Sequence, residues 1–326
     1  MKHEILVSAP PIIRDFLTYN ESIKGKSSMS IDEYYLDLQT FFRYIKIHRG
    51  LVGRNEDFSK ISIEDVDIEL IKTISLSDIY AFLVFCKNER GNNAATRARK
   101  GSTIRIFFKY LTFQVHMLES NPAELLESPK MKKSLPKHLS LDESKQLLSA
   151  VEGNNKERDY CILTLFLNCG MRLSELCGLN LTDIGSDGSL RILGKGNKER
   201  IVYLNGACVE AIAKYLPHRP VDGVAANDKN ALFISRNKKR ISNKTVQHIV
   251  YTYIEKAGLS GRGLSTHKLR HTAATLMYQH GNVDIRVLKD ILGHANLGTT
   301  QIYTHVSDEQ VKSALEANPL SDVKSK

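Results

Sequence analysis

Four places in the second half of the chain set a cation or a histidine beside a special backbone feature. In "CGMRLSEL", Arg172 follows the glycine that ends an apolar run, and Glu175 stands three residues later. In "GKGNK", Lys195 lies between Gly194 and Gly196, where a backbone without side chains lets a ligand come close. In "STHKLRHTAATL", His267 and Arg270 sit in the first turn of a helix capped by Ser265 or Thr266, and their spacing puts them on one face. Such helix starts attract phosphate. In "LGHANLG", His294 follows the glycine that closes another helix, and Tyr303 comes nine residues later.

Each feature also has a plain structural use. Arg172 suits an ion pair with Glu175, Lys195 a solvated turn, His267 a helix cap, His294 a loop and Tyr303 helix packing. Independent plain uses are a poor account of all of them occurring in this order.

The elements that must position these groups follow from periodicity. "SMSIDEYYLDLQTFFRYIKIH" repeats Ile31, Tyr34, Tyr35, Leu38, Phe41, Phe42 and Ile45 at steps of three and four, the stripe of an amphipathic helix. Residues 75–89 and 93–115 read as two more helices. The last is basic early, with Arg97, Arg99, Lys100 and Arg105, and apolar later; that suits a groove or phosphate contact, or a solvated face. Residues 119–140 hold prolines and lysines with little periodicity and read as an extended linker. Its Lys132, Lys133 and Lys137 can lie along a phosphate backbone.

Beyond the linker, Ser140 and Glu143 form a capping box. Residues 159–170 are apolar on nearly all sides and predict a buried central helix ending at Gly170. Residues 189–204 predict a β-hairpin around the Gly-Lys-Gly-Asn-Lys tip. Helices are expected at 207–216, 244–257, 267–280, 284–292, 298–305 and 308–317.

The chain of 326 residues has room for about two domains. Its net charge of +10 and pI of about 9.2 favour a polyanionic partner, nucleic acid ahead of an acidic membrane. Arg236, Lys238, Lys239, Arg240 and Lys244 suit phosphate positioning. No apolar run is long enough to span a bilayer, and no signal peptide opens the chain. Cys86, Cys161, Cys169, Cys177 and Cys208 form no CxxC pair, so no zinc site, disulfide framework or other cofactor is expected, and the cytoplasm is the expected location.

The strings "GMRLSEL", "ILGKGNKER", "HKLRHTAATLM", "LGHANLGTTQIYTHV" and "SPKMKKSLPKHLSLDE" resemble the tyrosine recombinase, or phage integrase, family, with Xer-type members the most similar. The resemblance is good over residues 129–307 and weaker over 1–128. It implies a mainly α fold with a small antiparallel sheet. Residues 1–131 would be a helical core-binding domain and 132–326 the catalytic domain, the two clamping duplex DNA.

Position by position, the resemblance implies that Tyr303 is the nucleophile and Arg172, Lys195, His267, Arg270 and His294 complete the catalytic set. Glu175 would brace Arg172, and His271 would support the His-x-x-Arg pair. Attack by Tyr303 on a phosphodiester gives a 3′-phosphotyrosyl link and a free 5′-hydroxyl, so strands rejoin without ATP. Arg172, Arg270 and His294 would donate to the non-bridging oxygens of the transition state. His267 would take the tyrosine proton, and Lys195 would protonate the leaving oxygen, with Lys198 the competing acid. Nothing resembles an acidic cluster around Mg²⁺, so no metal is expected.

The resemblance further implies a specific DNA site, a Holliday junction, and a tetramer on two sites with helix 308–317 exchanged between protomers. Accessory proteins remain open. Residues 1–30 are a longer lead than in a minimal Xer-type chain, and 48–67 look like extra loop. Two other readings stand beside it: a type IB topoisomerase-like relaxing enzyme, and a catalytically silent DNA-binding protein.

Overall fold

A computed structural model describes residues 8–53, 55–130, 137–194, 198–281 and 283–293. The chain divides into two compact units, Met1–Lys133 and Ser134–Lys326.

The described part of the first unit is helical. It comprises α1 (Pro11–Ser22), α2 (Ser28–His48), α3 (Ile68–Lys72), α4 (Leu76–Asn88) and α5 (Ala94–Phe113). Local chemistry sets the helix starts. Ser27 accepts from the Ser30 amide, Ser75 and Asp78 form a capping box, and Asn93 accepts from the Thr96 amide. The α2 stripe is buried as its spacing requires, from Ile31 to Ile45, with Tyr34 half-buried. Phenylalanines dominate the core: Phe16 meets Phe107 at 5.2 Å and Phe41 meets Phe82 at 5.1 Å, both edge to face.

Two stretches expected to be loose are packed. Within 48–67, Ile61, Ile63 and Val66 are buried, and Lys46 ties Asp65 and the Ser62 carbonyl to α2. In the linker, Ala123 and Leu126 enter the core, so the chain is not a free extended strand up to that point. An Asn121 side chain accepting from the Ala123 amide makes the turn that brings them back.

The second unit is mostly helical with a small antiparallel sheet. It opens with α6 (Leu141–Ser149), started by the Ser140–Glu143 capping box. Next come α7 (Lys156–Cys169), α8 (Leu173–Gly178) and the strands β1 (Ser189–Leu193) and β2 (Glu199–Tyr203). After them lie α9 (Gly206–Tyr215), α10 (Asn243–Lys256), α11 (Thr266–His280) and α12 (Ile285–Leu292). Residues Cys161 to Leu167 of α7 are all buried, and α9 and α11 pack against this helix. The strands pair antiparallel, with Leu190 opposite Val202 and Ile192 opposite Arg200. The hairpin tip, 195–197, and the helices expected at 298–305 and 308–317 lie outside the described residues.

Candidate active site

The site is built where two helices end in left-handed glycines. Helix α7 stops at Gly170 (φ 58°) and α12 at Gly293 (φ 63°). The two ends meet: a Cβ on Gly170 would stand 2.8 Å from Leu292 Cδ2. After Gly170 the chain buries Met171 and sets Arg172 at the cap of α8.

Glu175 is the hub. Its carboxylate is 1% exposed, and it accepts from the Arg172 amide at 2.8 Å and from Arg172 Nη1 at 2.7 Å. Arg200, on β2, grips both oxygens, Nη1 to Oε1 at 2.9 Å and Nη2 to Oε2 at 2.8 Å. Arg270 Nη1 lies 3.9 Å from Oε2. Burial pushes this carboxyl up. Hydrogen bonds and charge from Arg200 and Arg172 overcome that and hold it at about 2.

The three arginines differ in what they offer. Arg270 is buried and donates to the carbonyls of Gly170 and Leu292, both at 2.6 Å. Arg200 is largely buried and donates through Nε to the Ile291 carbonyl at 2.9 Å. Arg172 is 36% exposed; it reaches the Gly293 carbonyl at 3.1 Å and turns part of its guanidinium to solvent. Three guanidiniums around one carboxylate leave excess positive charge, the electrostatics of an anion site.

His267 faces solvent in the first turn of α11, where Ser265 holds the cap position without a side-chain bond. Partial burial of the ring, then the charges of Arg270, Lys268 and Arg172, lower its pKa below 6.5. That shift favours the neutral imidazole, the form able to accept a proton. His271 is buried, its ring 6.1 Å from that of His267.

The structure brings Arg172, Glu175, His267, Arg270 and His271 into one region. Lys195, His294 and Tyr303 lie outside the described residues. The hairpin neck stands over Glu175, with a Cβ position on Gly194 3.5 Å from Oε1. Lys198 is exposed, and its carbonyl accepts from the Gly194 amide at 2.7 Å. Arg200 is the residue that sequence reasoning passed over. Its signal is the strand alternation: Glu199, Ile201 and Tyr203 take one face, leaving Arg200 on the buried face with Val202.

The basic residues expected to meet phosphate divide in the same way. Lys137, Arg236, Lys238, Lys239 and Lys244 are exposed. Lys100 is corrected: it is buried in the first unit, with Nζ 2.9 Å from the fully buried Asp37. Arg99 and Thr103 complete that carboxylate's partners, at 2.7 and 2.9 Å. A buried carboxylate needs such company, and it draws the basic start of α5 inward. Arg105 donates to the Leu126 carbonyl and Arg97 is half-buried. Arg240 donates to the carbonyls of Cys177 and Leu179 and to Asn180, so it braces a turn rather than facing solvent freely. Lys132 and Lys133 fall outside the described residues.

The family described as "Phage integrase family" matches residues 137–310. The chain is 52% identical over 312 residues to the tyrosine recombinase XerC of Caldanaerobacter subterraneus subsp. tengcongensis, spanning 96% of this chain and 88% of that one. It is 34% identical over 304 residues to the tyrosine recombinase XerD of Proteus mirabilis, spanning 92% and 90%. Among solved structures, the XerH site-specific recombinase bound to difH substrate shares the fold with a TM-score of 0.68. That match is 24% identical over 94% of this chain and 84% of that chain. A lambda integrase dimer bound to a COC′ core site shares the fold with a TM-score of 0.64, at 19% identity over 90% and 75%.

Proposed function

The chain belongs to the phage integrase family and is a tyrosine site-specific recombinase, and we propose that it cuts and rejoins duplex DNA through Tyr303. The observation that carries this is the Glu175 hub, which gathers Arg172 and Arg270 at 2.7 and 3.9 Å, with His267 on the same helix as Arg270.

Tyr303 Oη attacks a phosphodiester, forms a 3′-phosphotyrosyl bond and releases a 5′-hydroxyl. The bond energy is retained, so the 5′-hydroxyl of a second strand reverses the step. Two such rounds of exchange pass through a Holliday junction. Arg172 and Arg270 donate to the non-bridging oxygens as charge gathers there, and His294 adds a further donor. Planar guanidiniums suit this because each offers two parallel N–H groups. His267 accepts the tyrosine proton, and Lys195 returns one to the leaving 5′-oxygen. His271 supports the pair.

The exposed Lys137, Arg236, Lys238, Lys239 and Lys244 position the phosphate backbone. Residues 1–131 read the DNA site and 132–326 carry the chemistry. Four copies act on two sites, with 308–317 docking on a neighbour. The cytoplasm suits five free cysteines, all buried. Among the described residues no helix is long and apolar enough to cross a membrane.

The test is covalent trapping in EDTA. Nicked duplexes from beside the gene and from the host's replication terminus are incubated with the protein, run on a denaturing gel and the modified peptide mapped. An adduct on Tyr303, lost in Tyr303→Phe, is expected. Tight binding without an adduct supports a silent binder, and an adduct on another residue or requiring Mg²⁺ overturns the mechanism.

A further inference from the structure

We propose that Arg200 is a positioning residue for strand cleavage, clamping the Glu175 carboxylate to the end of α12 from the base of the hairpin. The inference rests on the cleavage role given to Arg172 and Arg270 above.

The contacts close a ring. Arg200 holds both oxygens of Glu175, and Arg172 shares one of them, Oε1. Arg200 Nε holds the Ile291 carbonyl in the last turn of α12. Two residues on, Gly293 packs so tightly that a Cβ there would be 3.0 Å from Arg200 Cδ and Nη1. The Gly293 carbonyl returns to Arg172 Nη2, and the Leu292 carbonyl to Arg270 Nη2. One side chain on β2 thus fixes what each of the other two arginines leans on.

Packing alone does not call for an arginine here. Ile201 and Tyr203, on the outward face of β2, are exposed, while the inward face carries Arg200 and Val202. An apolar side chain at an inward strand position is as stable as a buried ion pair, or more so. A guanidinium that makes three directed bonds to two segments gives orientation instead. It also joins the neck of the loop that bears Lys195 to the arginines.

Among the described residues, the charged groups facing Glu175 are Arg172 from its own helix cap, Arg200 from β2 and Arg270 from α11. Removing Arg200 leaves the buried carboxyl one hydrogen-bonded partner poorer, so it takes a proton more readily. Single-turnover adduct formation on saturating nicked site DNA is measured at neutral pH for wild type, Arg200→Ala, Arg200→Lys, Glu175→Gln and Arg200→Ala/Glu175→Gln. Far-ultraviolet circular dichroism checks folding, and Arg200→Met replaces the alanine variant if that one does not fold.

Arg200→Ala is expected to slow cleavage by on the order of 100-fold, with DNA affinity kept within about threefold. Arg200→Lys should regain part of the rate, and the double variant should be little slower than Glu175→Gln alone. Wild-type rates in Arg200→Ala overturn the proposal. So does a loss that multiplies with that of Glu175→Gln and that Arg200→Lys does not relieve, which is the behaviour of a simple fold brace. If the recombination reading itself is wrong, wild type forms no Tyr303 adduct, a failure separate from any effect of Arg200.

Discussion

Arg270 donates to the Gly170 carbonyl across 2.6 Å, joining α11 to the glycine that caps a buried helix a hundred positions earlier. The same guanidinium donates to Leu292 at the end of α12. It therefore links three elements before any substrate arrives.

That double role predicts two losses from one substitution. Arg270→Lys keeps the charge but cannot bridge both carbonyls. We expect stability to fall by about 1–3 kcal/mol and adduct formation by on the order of 100-fold or more. Urea unfolding and the nicked-duplex assay read the two effects separately.

Gly170 is held to glycine twice over, by its φ of 58° and by Leu292. Gly170→Ala should destabilise by about 1–2 kcal/mol from backbone strain alone, with the clash adding to it. Gly188 has a φ of 78° and open space around a Cβ, so Gly188→Ala should cost the strain without the clash. A smaller melting-temperature drop for Gly170→Ala than for Gly188→Ala would contradict this.

Glu175 makes stability depend on pH. Its folded pKa of about 2 lies below the ordinary 4.5, so the unfolded chain binds the proton more tightly. The stabilisation is complete above pH 4.5 and is lost as pH falls toward 2. The difference amounts to on the order of 3 kcal/mol. Denaturant unfolding of wild type and Glu175→Gln between these limits should give a steeper fall for wild type.

His267 is depressed by burial and by neighbouring cations, so it too disfavours protonation in the folded state. Stability from this source is present above pH 6.5 and lost as pH falls through the lower folded pKa. A proton NMR titration should place its midpoint below that of a free histidine, and His267→Asn should remove the corresponding resonance. A midpoint above 6.5 would remove the case for a neutral base.

Salt dependence separates the exposed cations from the internal one. Removing a cation that neutralises one phosphate should flatten the slope of log affinity against log salt by about 0.9. Arg236→Ala and Lys244→Ala should each do so. Lys100→Met should leave the slope alone and lower stability, because Asp37 is deprived of a buried partner.

By itself the sequence determined the local elements and the types of the candidate reacting groups. The three-and-four stripe of α2, the serine–glutamate box of α6 and the glycine end of α7 each act within a few residues, and their physics is written in adjacent positions. The hairpin, too, follows from alternation around a glycine-rich tip. Arg172, His267 and Arg270 were visible because each sits beside such a local signal. Tertiary structure decided which charges face water. Lys100 meets Asp37 across 63 positions and Arg200 meets Glu175 across 25, and neither pairing has any periodicity to mark it. It likewise decided that Ile63 and Ala123 belong to a core rather than to loops. A charge count treats every lysine and arginine alike; burial tells them apart, because a carboxylate removed from water must collect its cations from wherever the chain brings them.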